Sequence, residues 1–291
     1  MIECIFTCGI SGSGKSTWAN AQEGYLVLDS DLIRKELYGS ETDQQNPTKV
    51  FDLMYKRASA ALSRGQSVVC CSTNLNMKYR IHALNQLKHK HPEVHYRCVI
   101  FNTPVKVCRE WNQQRERHVP DWLFDKQMRA FQCPVENEGW DSIEIVKPKR
   151  YDKVDFCNRV WDDVREIGSQ DNPHHTLTLY DHLLACIDKV RLTSLKDEKD
   201  GFYVLVAAGL HDIGKAYTRS YDDNGVAHFY NHENFSSYLA MNMDMPLEVI
   251  QLVNYHMIPY NKDACANWEK RLGTDLWNKI LILHQGDEEA H

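Results

Sequence analysis

No stretch of the 291 residues is apolar for long enough to span a bilayer. No basic segment precedes an apolar one at the amino end, so neither a membrane association nor a secretory leader is expected. The ten cysteines contain no C-x-x-C pair and no regular spacing. That argues against a zinc ribbon and against a disulfide framework, and it fits reduced thiols in a cytoplasmic protein. There is no internal repeat and no low-complexity tract. An obvious stripe of basic and aromatic residues, of the kind that tracks single-stranded nucleic acid, is also missing. What remains is an ordinary globular composition, 43% hydrophobic, with a length that suggests two domains. Its charge is uneven. Up to Arg150 there are 21 Lys and Arg against 17 Asp and Glu; from Tyr151 onward there are 13 against 23. The first half can meet a polyanion and the second can hold cations, although a solvated acidic surface is the commoner cause of such a skew.

Gly9 to Thr17 reads G-x-x-x-x-G-K-S-T. An apolar run, Ile2–Cys8, precedes it, and Trp18–Ala21 can open a helix. This is the strand–loop–helix setting of a phosphate-binding loop. Glycines let successive backbone N–H groups turn toward phosphate oxygens, and the helix N-terminus adds positive dipole. Gly12, Ser13, Gly14, Lys15, Ser16 and Thr17 are the expected nucleotide contacts. Lys15 reaches the β- and γ-phosphates of ATP, and Ser16 offers its hydroxyl to Mg²⁺.

Apolar runs near residues 24–29, 67–72, 94–101 and 142–146 alternate with helical patterns, which predicts a doubly wound parallel α/β sheet. Working groups in such sheets gather at the carboxyl ends of the strands. Asp31 lies at one such end, and Arg34 shares its side of the following helical turn. Asp31 can accept a proton from an attacking hydroxyl, and Arg34 can grip a phosphate of the acceptor. The alternative is an N-cap aspartate with a solvent-facing arginine. Arg109, Arg115 and Arg117 lie on or beside a helix ending near Pro120. They suit a lid that brings guanidinium groups to transferring phosphates, or an ordinary charged surface helix.

Gly12–Ala19, Asp31 with Arg34, Ser72–Asn76 and the Arg109–Pro120 stretch together resemble the kinase domain of bacteriophage polynucleotide 5′-hydroxyl kinase over about the whole first half. The resemblance implies that Asp31 is the general base on a 5′-hydroxyl and that Arg34 contacts the acceptor phosphate. It gives Arg115 best, with Arg117 the other choice, as the arginine on the transferring phosphoryl group. Ser72 departs from the pattern, since that family usually has Asp there. Simple nucleoside and gluconate kinases share the phosphate-loop skeleton.

A seam is expected at Pro148–Arg150, which gives domains at 1–150 and 151–291, with residues 151–173 as a linking helix and turn. Beyond it the pattern is helical. An apolar helix running into His211-Asp212 is unusual, because burying both groups is costly unless they are paired or hold a cation. His182, His232, His256 and Asp287 supply further donors on helices of an apolar bundle. The order H…HD…H…H…D resembles the HD phosphohydrolase superfamily from about His174 onward. Carried over by position, His182, His211, Asp212 and Asp287 hold one metal. His232 and His256 add ligands for a second, with Asp212 bridging. Glu288 and Glu289 adjoin Asp287 and compete for its place. The mixed N/O donors suit Mn²⁺, Fe²⁺, Co²⁺ or Ni²⁺. Lys215 either neutralises a phosphate or is a solvated surface lysine. His175 and His228 are taken as structural or access-side groups.

A 5′-kinase joined to a metal-dependent phosphohydrolase fits the healing of broken RNA. Bacterial end-healing enzymes that combine these two activities form a known family, with the HD domain first; here it comes second. The resemblance implies nucleic-acid ends as partners, RNA in preference to DNA, and an RNA ligase acting afterwards. Two alternatives stay open: a small-molecule nucleoside or nucleotide kinase fused to a nucleotide phosphohydrolase, and a nucleotide-sensing module. The sequence implies no oligomeric state.

Overall fold

The computed structural model describes residues 1–43, 45–115, 118–147, 152–173, 176–191 and 198–290. Arg117, His175 and the Pro148–Arg150 seam lie outside them. The chain forms two compact units. One comprises Met1–Phe124 and Pro134–Lys149; the other comprises Asp125–Cys133 and Arg150–His291. A single cut at 150 therefore does not take in Asp125–Cys133, which packs with the later residues.

The first unit is built on five strands: β1 (Glu3–Cys8), β2 (Leu26–Asp29), β3 (Val68–Cys71), β4 (His95–Phe101) and β5 (Ser142–Val146). All pair in parallel, in the order β2-β3-β1-β4-β5. The central strand is buried from Cys4 to Cys8. Strands covered on both faces read as near-continuous apolar runs for this reason. On one face Ile5, Val69, Val99 and Phe101 pack with Ala19 and Trp18, the latter two on helix α1 (Lys15–Asn20). On the other face Phe6 meets Tyr55 and Trp140 at ring distances of 6.1 and 5.3 Å. The remaining helices of the unit are α2 (Ser30–Tyr38), α3 (Pro47–Leu62), α4 (Met77–Lys90) and α5 (Val105–Gln113), with α6 (Asp121–Met128) running from this unit into the second. The strands, α3 and α4 fall where the apolar periodicity places them.

One interior feature was not legible from that periodicity. Arg80 on α4 is fully buried, and its guanidinium meets Glu138 in a two-pronged pair at 2.8 and 2.5 Å. Trp140 Nε1 donates to the same carboxylate, and Arg80 Nη1 donates to the Asn74 carbonyl. The pair thus ties the loop after β3 to the approach to β5.

The second unit is helical: α7 (Lys153–Glu166), α8 (Leu179–Arg191), α9 (Glu198–Ala208), α10 (Lys215–Thr218), α11 (His232–Asn242), α12 (Leu247–Tyr255), α13 (Cys265–Leu272) and α14 (Thr274–Glu288). The unit is helical as expected, with one small addition. A short antiparallel ribbon joins β6 (Ser220–Tyr221) to β7 (Ala227–His228). Its turn is local chemistry: Asp222 Oδ1 accepts from the Asn224 and Val226 amides, and Gly225 takes φ +76°. Among the described residues, no helix is long and apolar enough to cross a membrane.

Replacing Arg80 with Met leaves Glu138 buried without its counter-charge. The first unit is expected to lose about 3–5 kcal/mol, read by urea denaturation followed by circular dichroism. The double change Arg80→Met with Glu138→Leu is expected to recover part of that loss.

Candidate active sites

The shape of the loop after β1 depends on glycines at two positions. Gly12 sits at φ +75°, and a side chain there would run into the Cys108 carbonyl of α5 at 2.7 Å. Gly14 takes φ +91° as the N-cap of α1. Both positions therefore require glycine. Lys15 is buried, and its Nζ folds back to the Ile10 carbonyl at 2.6 Å and to Ser13 Oγ at 3.3 Å. Burial pulls its pKa down, and the nearby Arg115 charge adds to that. An ammonium held this way gains from an incoming phosphate, which returns the counter-charge it lacks. Arg115, exposed just beyond the end of α5, is close enough to act on Lys15 electrostatically. Of the predicted lid arginines, Arg109 instead pairs with Asp121 at 3.8 Å and lies over the Phe124 ring.

Asp29, which was not singled out from the sequence, sits beside the phosphate loop. Its Oδ2 accepts the Ser16 hydroxyl at 2.9 Å. Its Oδ1 accepts the Asp31 amide at 2.8 Å, which makes Asp29 the N-cap of α2. A carboxylate beside the loop hydroxyl is where a phosphate-bound Mg²⁺ finds a second anchor. The signal was available: Asp29 ends β2, and a strand-terminal acid two residues before Asp31 is an N-cap candidate. With the cap assigned to Asp29, Asp31 is released from that role. Its half-exposed carboxylate contacts Arg34 Nη1. Arg34 is not solvent-facing. It is buried, donates to the Glu41 carbonyl at 3.2 Å, and keeps Nε without a hydrogen-bond partner among the described residues. Ser72 is buried too. Its backbone N–H donates to Thr7 Oγ1, and its own Oγ has no such partner.

In the second unit, the six predicted donors come from five places in the fold and meet in one buried cluster. His182 lies on α8, and Asp287 on α14. His211 and Asp212 occupy the turn after α9. His232 opens α11, and His256 closes α12. Asp287 Oδ1 stands 3.0 Å from His182 Nε2 and 3.3 Å from His211 Nε2. Asp212 Oδ2 is 3.4 Å from each of the same nitrogens. Its other oxygen, Oδ1, is 2.9 Å from His232 Nε2 and 3.6 Å from His256 Nε2. One carboxylate thus faces two donor groups, His182/His211/Asp212/Asp287 and Asp212/His232/His256. The competition at the end of α14 resolves by geometry: Glu288 lies by His284 and Glu289 by Gln285, while Asp287 turns inward.

The imidazoles share one device. Nδ1 of His211, His232 and His256 each lies 2.8 Å from the carbonyl three residues earlier, at Ala208, Phe229 and Val253. His182 Nδ1 lies 3.4 Å from the Ala290 carbonyl. A ring donating through Nδ1 presents a lone pair at Nε2. The Nε2 atoms of His182 and His211 are 3.2 Å apart. Two lone pairs at that distance repel unless positive charge lies between them. The charge balance points the same way. Burial alone pushes Asp212 up, but Lys215 and the histidines outweigh it and hold the carboxyl well below the usual range. Burial likewise opposes ionisation of Asp287, and His211 and His182 outweigh it. Burial holds His256 below its ordinary value, whereas the facing carboxylates Asp212 and Asp287 outweigh burial and raise His182 and His211. Positive charge is thus favoured at these rings, as protons or as a cation that replaces them. Ionised carboxylates and Nε2 lone pairs are the donor set of a divalent cation, and the residues fit one.

Lys215 is not a surface lysine. It is buried, pairs with Asp212 Oδ2 at 2.6 Å, and donates to Gln170 at 3.0 Å. Gly214 before it packs so closely on α11 that a Cβ would reach the Ser236 amide at 2.7 Å. His228 lies on β7, next to Asp222 and stacked on Tyr230.

Residues 4–134 match the family model described as AAA domain, and residues 175–282 match that described as HD domain. Among solved structures, the chain is similar to a gluconokinase from Sinorhizobium meliloti 1021, at 21% identity. The match covers 51% of this chain and 84% of that one, with a TM-score of 0.37. No curated protein matches the chain. The chain thus carries a stretch similar to AAA-type phosphate-loop domains followed by a stretch similar to HD domains.

Two outcomes are expected. Asp29→Asn keeps the cap of α2 but weakens the hold on Mg²⁺, so the Mg²⁺ concentration for half-maximal kinase activity rises at least tenfold. Asp212→Asn strips both donor groups of their shared carboxylate. Mn²⁺ retained after dialysis, measured by plasma mass spectrometry, falls to background, whereas Asp287→Asn lowers only part of it.

Proposed function

We propose that this chain is a bifunctional enzyme that heals the ends of broken RNA. The first unit transfers the γ-phosphoryl group of ATP to a 5′-hydroxyl end. Asp31 takes the hydroxyl proton as the oxygen attacks phosphorus and ADP leaves. Lys15 and Arg115 offset charge on the transferring group, and Ser16 with Asp29 positions Mg²⁺. The second unit hydrolyses a 2′- or 3′-phosphate, after opening the cyclic ester where one is present. His182, His211, Asp212, His232, His256 and Asp287 would hold the metal, which supplies a hydroxide near neutral pH and a clamp on phosphoryl oxygens. Lys215 holds Asp212 in place and contributes positive charge beside the cluster.

The observation that carries the reading is Asp31 against Arg34. A base beside a fixed guanidinium reads a hydroxyl with a phosphate next to it. A polynucleotide 5′ end offers that combination and a free nucleoside does not. The pairing of a phosphate-adding unit with a phosphate-removing unit in one chain agrees with it. An RNA ligase is the natural consumer of the product, which carries a 5′-phosphate and a free 3′-hydroxyl. The lack of a basic and aromatic stripe in the sequence favours the second reading, a small-molecule kinase fused to a nucleotide phosphohydrolase.

A 5′-hydroxyl, 3′-phosphate RNA oligonucleotide incubated with ATP, Mg²⁺ and Mn²⁺ is expected to gain the first phosphate and lose the second, seen by end-group analysis. Asp31→Ala or Arg34→Ala should abolish the gain and spare the loss; His211→Ala should do the reverse. Labelling of free nucleosides alone would sink the polynucleotide reading in favour of the second.

A further inference from the structure

The second unit contains a piece of chain that its family match does not. Asp125–Cys133 falls inside the stretch matched by the AAA domain model, yet it packs with the helical unit. We propose that this segment is a strap that positions the second group of metal donors, with Asn254 as its positioning residue. The proposal rests on reading Asp212, His232 and His256 as metal ligands.

The strap contacts the helices beside two ligands. Asn254 lies two residues before His256 and is 3% exposed. Its amide nitrogen reaches the Phe131 carbonyl at 3.0 Å, Asn234 Oδ1 at 3.0 Å and Ser237 Oγ at 2.8 Å. Its amide oxygen accepts the Cys133 N–H at 2.8 Å. Asn234 lies two residues after His232 and donates to the Arg129 carbonyl at 2.8 Å. Arg129 donates to the carbonyls of Tyr230 and Tyr217 at 2.9 and 3.3 Å. Phe131 sits edge-on to Tyr238 of α11 at 5.5 Å, and the Tyr255 hydroxyl donates to the Cys133 carbonyl.

Each of these two imidazoles is aimed by a carbonyl of its own neighbourhood, Phe229 for His232 and Val253 for His256. Those bonds fix the tilt of a ring. They do not fix the distance between the end of α12 and the start of α11. Asn254 does, because it joins both helices and the strap through one planar amide. Metal–ligand lengths tolerate only about 0.2 Å, so a spacing fixed by a buried network matters more here than in a plain core. Side-chain packing alone would not require backbone groups of an irregular segment to find amide partners beside both ligands.

The test uses the full-length chain titrated with Mn²⁺ and followed by electron paramagnetic resonance. Two ions close together give a spin-coupled signal, and an isolated ion gives six lines. The wild type is expected to pass from the first ion to a coupled pair. Asn254→Ala is expected to weaken the second ion by about 10–100-fold and to leave the six-line signal dominant. First-ion affinity and ATP-dependent kinase activity should not change. Arg129→Ala, at a partly exposed position, is expected to act in the same direction with a smaller loss, and it decides the matter if Asn254→Ala does not fold. Equal weakening of both ions, or an unchanged second ion in the variants, overturns the strap. A wild type that never binds a second ion overturns the metal reading as well, which separates the two failures.

Discussion

The second unit depends on one buried carboxylate. Asp212 faces four imidazoles and an ammonium within 3.6 Å. An isolated carboxylate this deep would take up a proton rather than stay charged. Here each neighbour contributes positive charge or a donor: His211 and Lys215 from the same short stretch as Asp212, and His182, His232 and His256 from three others. Helices α8, α11, α12 and the turn after α9 are brought to one point by the need to satisfy a single group. Asp287 closes the set from α14. The apolar packing of these helices places them near one another, and the polar cluster selects the arrangement in which all its members are served. The same demand explains Gly214. Lys215 reaches Asp212 from α10, and a side chain at 214 would separate that helix from α11.

The phosphate loop solves a different problem by different means. It depends on backbone N–H groups and on how closely the chain can approach a ligand, not on a collected set of side chains. Gly12 and Gly14 take positive φ, and Gly12 presses against the Cys108 carbonyl of α5. Its one ammonium is held by a carbonyl from its own loop. Such a site is almost entirely local in sequence, and that is why nine consecutive residues announce it. Asp29 is the exception. It serves the loop only because β2 ends beside Ser16, and this depends on the parallel pairing that puts β3 between β2 and β1.

That contrast governs what could be read from the chain. The five strands, their α/β alternation and the loop were legible, because burial on both faces demands apolar runs and phosphate binding demands glycines at fixed spacing. The six donors of the helical unit were legible as residue types in order, because acids and imidazoles beside apolar runs need a reason to be there. Their division into two groups that share Asp212 followed from the family resemblance, and the distances to each Asp212 oxygen came only from the structure. The Arg80–Glu138 pair was hidden, since its members are 58 residues apart and each alone reads as a surface charge. Lys215 was ambiguous for the same reason. The β6–β7 ribbon was missed because two residues on each side leave no periodicity to detect. Residues 125–133 gave no sign of their destination, because the bonds that place them join the Arg129, Phe131 and Cys133 backbone to side chains more than 100 residues away.

That last case bears on what a domain is in this chain. Sequence similarity groups the strap with the phosphate-loop unit, whereas packing groups it with the helices. Closing the chain over such a separation is not prohibitive, since loop entropy grows only by about 0.6 kcal/mol for each doubling of length. The hydrogen bonds that Arg129, Phe131 and Cys133 make with the second unit, at about 0.5–1.5 kcal/mol each, outweigh that increment. Left unmade, they would strand Asn234 and Asn254 as buried amides, which is the larger effect. The helical unit is therefore complete only when a segment made before it, on the amino side of β5, has been recovered. The end of the first family match does not coincide with the boundary between the two folded units.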